Sequence, residues 1–472
     1  PRDLRSRTPD RKQADTHPAV LTLQNATSAR DAELALRAYR ALSSQEKKHL
    51  TFRESRIITS CLLRFFNAVR PSRPDAPFPD LQSLTSLAAQ ITADIKHGAL
   101  QVTGPTYVDL LSFYTSSGQL APGRDLWQWL QAHPDDPATI ECYGAAIELL
   151  AHSNVPLPEI EALYQLALSK FPGTFAAYHV SPHAILPSRT HRLSIPDISP
   201  SLLHGITVAR LRHGATAPAY LALDAALRLW PDALPARFVL SFLDARPIDE
   251  AYQVFAQARL GASILPMYVF RRLLRALRLS GISEPRLADQ ARGVRAMLSA
   301  TLLWVAGGGG PVSPISPASP PFAPISSTIL TELTIGITRL ARVRGFSLLP
   351  ADERSAIISS LFTLTQSLPA IFAGHSSGAK LKLTAYHAII NNLGASNRLI
   401  IAQALSAIAA LNLVPNNVTW RILVTTAARL RDKDLFRSAW QNLLVLRTPN
   451  HADFAALVGT AVSLDMPDFA RA

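Results

Sequence analysis

Apolar residues recur at helical spacing along most of this chain, and between Leu383 and Leu464 the pattern itself repeats. An aromatic heads each period, at Tyr386, Trp420 and Phe454, 34 residues apart, and apolar positions follow it at +3, +4 and +7. These are Ile389, Ile390 and Leu393, then Leu423, Val424 and Ala427, then Leu457, Val458 and Ala461. Such offsets lay one stripe along one face of a helix. A polar break follows the first two stripes, at Ala395-Ser396-Asn397 and at Arg431-Asp432-Lys433-Asp434, and a second amphipathic run follows each break. One period is therefore expected to be a helix–turn–helix hairpin that buries its apolar face only by stacking on its neighbours.

The same theme appears upstream. Tyr107 is followed by Leu110, Leu111 and Tyr114, and Tyr143 by Ala146, Ile147 and Leu150. Phe270 heads Leu273, Leu274 and Leu277, so the stripe persists where the period shortens. The stretch from Gly307 to Ser327 is rich in Gly, Pro and Ser and suits neither helix nor strand. The expected organisation is a flexible N-terminal arm at 1–27, a helical-repeat segment at 28–306, a linker at 307–327 and a second helical-repeat segment at 328–472. The opening residues, Pro1 to Lys12, read like the middle of a longer basic segment. The fold class is all-α, an α-solenoid.

Composition narrows the function. Hydrophobic residues make up 48% of the 472, which excludes wholesale disorder. The two cysteines, Cys61 and Cys142, form no CxxC, which argues against a disulfide scaffold or a thiolate zinc site and points to a reducing compartment. The formal net charge of +13 makes RNA, anionic lipid or acidic protein the natural partners. The longest uncharged helical stretch, Leu399 to Trp420, is interrupted by Gln403, Asn412, Pro415, Asn416 and Asn417, so no transmembrane span is expected.

Candidate chemistry is sparse. Gly374–Gly378 reads GHSSG and would make Ser376 a hydrolase nucleophile, but that motif needs a strand before it, and here it joins helical runs. Ser377 and Lys380 form an SxxK without companion motifs, and the glycines at 307–310 lack the ending of a phosphate loop. His179 and His183 stand four apart, but Pro182 lies between them and no third ligand is in view. No catalytic, cofactor-binding or metal-binding residue is expected, and the chain is read as non-enzymatic. The strongest surface feature is basic: Arg271, Arg272, Arg275 and Arg278 on one helix, with Arg339, Arg342 and Arg344 as a second patch. Like charges at helical spacing repel, which an acidic partner would relieve.

The segment from Leu383 to Ala461 resembles consecutive pentatricopeptide repeats, with Thr419-Trp420, Ala404, Ala439, Pro415-Asn416 and Pro449-Asn450 at the family's positions. In members that read bases, a polar side chain two residues after the first-helix aromatic contacts one base. That position falls here on Asp109, Ala145, Arg272, Ala388, Ile422 and Ala456, four of which are apolar, so one-base-per-repeat readout is not expected. Asn417 is the candidate for a last-residue contact, but its repeat partner is Ala388. The run from Ala176 to Phe255 is similar to a fungal mitochondrial family of complex I intermediate-associated proteins. That resemblance implies a matrix protein at the inner membrane, an assembly factor binding protein subunits of a membrane-arm intermediate of respiratory complex I. The alternative is a mitochondrial RNA-binding factor acting in mRNA stability, translation or on the mitoribosome.

Overall fold

The computed structural model of the chain describes residues 21–23, 25, 32–69, 81–133, 137–171, 198–261, 263–283, 286–306, 325–375, 378–446, 450–466 and 469. Among them every regular element is helical, so the fold is all-α, built of stacked helical hairpins. The chain divides into two compact units, Pro1–Pro231 and Asp232–Ala472. Within the arm expected at 1–27, residues 21–23 and 25 are helical and Leu23 is buried; the remainder of the arm lies outside the described residues. So does most of the expected linker, 307–324.

The first unit opens with α1 (Ala32–Ala41), which packs on α2 (Phe52–Val69). Hairpins follow: α2 with α3 (Leu81–Lys96), α4 (Gly104–Ser117) with α5 (Leu120–Ala132), α6 (Ile140–His152) with α7 (Leu157–Lys170), and α8 (Pro200–Arg212) with α9 (Thr216–Leu229). Their first helices, α2, α4, α6 and α8, stack in sequence. The aromatic ladders form the core: Tyr107, Leu110, Leu111, Tyr114, Tyr143, Ala146 and Ile147 are all buried. Turn chemistry fits the chain: Pro105, Pro158 and Pro200 lie in first turns, where no N–H is missed, and Gly118 closes α4 at φ 74°. The tightest contact joins α6 to α8, where a Cβ added to Gly205 would lie 2.3 Å from the Gly144 carbonyl oxygen. Only hydrogen fits between these two backbones.

The second unit repeats the plan. Its first helices are α10 (Ala236–Ala245), α12 (Met267–Ser283), α14 (Ser327–Arg339), α16 (Leu383–Asn392), α18 (Asn417–Leu430) and α20 (His451–Ser463), each touching the next. Second helices are α11 (Ile248–Leu260), α13 (Leu287–Ala306), α15 (Ala351–Ile371), α17 (Arg398–Ala410) and α19 (Lys433–Leu446). Tyr386 and the three apolar residues behind it are buried, as are Leu423, Val424 and Ala427. In the last period Leu457 and Ala461 are buried, whereas Phe454 and Val458 are exposed. Near the start, the Phe255, Phe270 and Trp304 rings stack at 5.9 and 4.6 Å. The buried Arg259 lies 4.9 Å over Trp304 and donates to the carbonyls of Ser263 and Trp304, tying α11 to the end of α13.

Candidate nucleic-acid interface

On α12 the buried ladder Phe270, Leu273, Leu274 and Leu277 fixes which way the arginines point. Arg271 and Arg275 are exposed and have no ion pair among the described residues. Arg272 is exposed and paired with Asp244 of α10. Arg278, one residue past Leu277, reaches sideways instead, and its Nε donates to Glu332 Oε2 of α14 at 3.0 Å. The four arginines read together from the sequence are thus two free cations and two neutralised ones.

The second patch meets the first. Arg339 is the last residue of α14 and Arg342 ends the 3₁₀ turn that follows. Burial, reinforced by the nearby charges of Arg278 and Arg342, holds the Arg339 guanidinium below its usual range. Arg429, near the end of α18, is lowered by burial and then by Arg342. Its Nη1 donates to the backbone oxygen of Asn391 at 3.1 Å and to Asn391 Oδ1 at 3.2 Å. Among the described residues Arg339, Arg342 and Arg429 have no ion pair. The Arg344 side chain lies outside the described residues.

Position explains the clustering. Carbonyls at a helix C-terminus are left without intrahelical donors and carry the negative end of the helix dipole. An arginine in the last turn of one first helix can satisfy such a carbonyl on the first helix before it, as Arg429 does for Asn391. The first unit uses the same device: Arg212 Nε of α8 donates to the Ala151 carbonyl of α6 at 3.2 Å. Stacking then brings cations from separate hairpins to one edge. Sequence reading missed Arg429, although it stands nine positions after Trp420, as Arg339 stands nine after Leu330, the residue heading its buried ladder.

The positions tested in the sequence for base contact are differently placed. Asp109 Oδ2 accepts a hydrogen bond from Thr59 Oγ1 at 3.2 Å, and Ala145 is buried. Arg272 is held by Asp244, while Ala388, Ile422 and Ala456 are half-buried apolar groups. Asn417 is the first residue of α18, whose N-cap is the preceding Asn416. Four of these positions thus present apolar side chains, Asp109 is engaged by Thr59, and Arg272 is paired with Asp244 through Nη2.

The remaining motifs fall largely outside the described residues. The GHSSG segment lies between α15 and α16 rather than after a strand, and Ser376, Ser377 and the His375 side chain lie outside the described residues, as do His179 and His183. No group of three or more His, Cys, Asp or Glu side chains among the described residues could hold a metal ion. Cys61 and Cys142 are free and buried, and burial raises both thiols. Among the described residues no helix is long and apolar enough to cross a membrane.

No protein-family profile matches the sequence, and no curated protein matches it either. Solved structures do match. Yeast Rmd9p in complex with a 16-nt target RNA superposes with a TM-score of 0.55 at 13% identity, over 95% of this chain and 86% of that one. The maize pentatricopeptide repeat protein PPR10, in complex with an 18-nt psaJ RNA element, matches with a TM-score of 0.39 at 12% identity, over 96% of this chain and 68% of that one. The all-α fold of stacked helical hairpins is thus one that Rmd9p shares.

Proposed function

We propose that the chain is a non-catalytic RNA-binding protein that holds the phosphate backbone of a single strand along its arginine edge, without reading one base per repeat. One observation carries this reading: Arg278, Arg339, Arg342 and Arg429 come from three hairpins into one positive field, in which only Arg278 has a carboxylate partner among the described residues. The similarity over nearly the whole chain to a protein solved with its target RNA supports RNA as the polyanion. The pI of 10.1 and the arginine-rich composition support the same choice and a mitochondrial site of action.

The apolar and already-engaged base-reading positions favour a second reading, a scaffold for a complex I membrane-arm intermediate whose acidic surface would meet the same arginines. Fluorescence anisotropy with labelled 16-mers of several sequences, titrated with salt, separates the two. For RNA binding, log affinity should fall linearly with log salt, by about 0.7 per phosphate neutralised, with similar slopes for all sequences. The double variant Arg339→Gln/Arg429→Gln should weaken every sequence alike and flatten the slope. No binding at low salt, together with ribonuclease-resistant association with respiratory-chain subunits, would replace RNA by the scaffold.

A further inference from the structure

A cavity of about 520 Å³ lies within the second unit, between the turn after α14 and the start of α17. Its polar lining is Arg342, Arg354, Ser347, Ser355, Ser396 and Asn397, and Phe346 and Ile358 form a buried apolar floor. Among the described residues no carboxylate lines it. Asp352 and Glu353 of the first turn of α15 are exposed and do not belong to the lining, and Asp432 pairs with Arg398 at 3.1 Å. Arg354 Nη1 makes one long contact, 3.5 Å, to the Ser347 carbonyl, and neither Arg342 nor Arg354 has an ion pair among the described residues.

Two further features give the cavity a sign. The first turn of α15 opens onto it through Ala351, Arg354 and Ser355, and its N-cap, Pro350, supplies no side-chain acceptor to the N–H groups there. The start of α17 reaches it through Asn397, whose Oδ1 accepts from the Leu399 N–H. Helix N-termini and guanidiniums both favour an oxyanion. The Arg342 side of the cavity also adjoins the charges of Arg339 and Arg429, which have no ion pair among the described residues and whose guanidiniums are held below their usual range.

We propose that this cavity is a phosphate pocket, taking one phosphoryl group of the bound RNA strand between Arg342 and Arg354. A tetrahedral phosphate presents several acceptor oxygens to the donors that line the cavity, the Arg342 and Arg354 guanidiniums and the Ser355 and Ser396 hydroxyls, which a planar carboxylate does not match as well. The inference rests on the RNA reading above and adds a defined anchor to it, at the turns between paired helices rather than at the base-reading positions.

The test uses the full chain and the double variant Arg342→Gln/Arg354→Gln, with circular dichroism to check that the variant is folded. Binding of a 16-mer RNA should weaken roughly tenfold and the salt slope should drop by about 0.7, equally for all sequences. Inorganic pyrophosphate should raise the melting temperature of the parent and not of the variant. Arg271→Gln/Arg275→Gln should leave the pyrophosphate response intact. If the parent binds RNA and the pocket variant binds it with the same affinity and slope, the pocket is overturned while RNA binding stands. If the parent binds no RNA, the function beneath it falls. If the variant loses binding only to vesicles of anionic phospholipid, the phosphate belongs to a lipid headgroup and the RNA anchor is wrong.

Discussion

Asp109 occupies the position from which a pentatricopeptide repeat would read a base, yet its carboxylate faces inward. Burial pushes the carboxyl above its ordinary value of 3.8, against the opposing effects of the Thr59 hydrogen bond and of Arg56 and Arg64. The folded state therefore holds this proton more tightly than the unfolded state. As pH rises through the window above 3.8, the carboxylate must ionise in a poorly solvated site, and its contribution to stability becomes less favourable. Asp109→Asn keeps an acceptor for Thr59 and removes the charge. The variant should melt at or above the parent at pH 7, the difference shrinking towards pH 4, and its base preference in RNA binding should not change. A shifted base preference would show that the carboxylate faces the strand after all.

At the scale of the element, one polar device recurs at the start of α18 and α20. Asn416 and Asn450 cap the two helices, each accepting from the backbone N–H of the third helical residue, Thr419 or Asp453, whose side chain in turn accepts from the cap's N–H. That same third residue reaches the preceding first helix: Thr419 meets His387 Nε2 at 2.8 Å, and Asp453 Oδ1 accepts from Arg421 Nε at 2.5 Å. Asp453→Ala removes the reciprocal cap bond and strands Arg421 half-buried, a combined loss of about 2–3 kcal/mol. Asp453→Thr, which copies position 419, should restore the cap and recover part of that loss. Urea denaturation of the three proteins checks the order, and equal stability of the alanine and threonine variants would show that capping contributes nothing.

Pro415-Asn416 and Pro449-Asn450 were legible in the sequence as repeat exits, and the buried ladders were legible as stripes, because both are local signals with a fixed period. The ties from Arg421 to Asp453 and from Arg278 to Glu332 were not, since they cross between hairpins and depend on how the helices stack. The phosphate pocket was hidden for a similar reason. Arg342 and Asn397 belong to turns whose lengths follow no repeat, Arg354 stands near the start of α15, and only the packing of α14 to α17 brings them to one cavity. The exposure of Phe454 and Val458 also escaped a pattern that treated all three periods as equivalent.

For the whole molecule, stacking means that each hairpin is stabilised mainly by its neighbours, so damage should stay local. The α6–α8 contact is the sharpest place to test this, because the atom in the way is backbone. In Gly205→Ala the new methyl would lie 2.3 Å from the Gly144 carbonyl oxygen, and relief requires α6 and α8 to separate. Separation would loosen the core around Tyr143, Ile147, Leu202 and Ile206, at a cost of about 1–3 kcal/mol or more. Amide hydrogen exchange should accordingly show lost protection in α6 to α9 and unchanged protection in α16 to α20. The arginine edge of the second unit does not depend on this contact, so RNA affinity should survive the substitution. Protection lost evenly from α2 to α20 would mean instead that the chain unfolds as a single cooperative block.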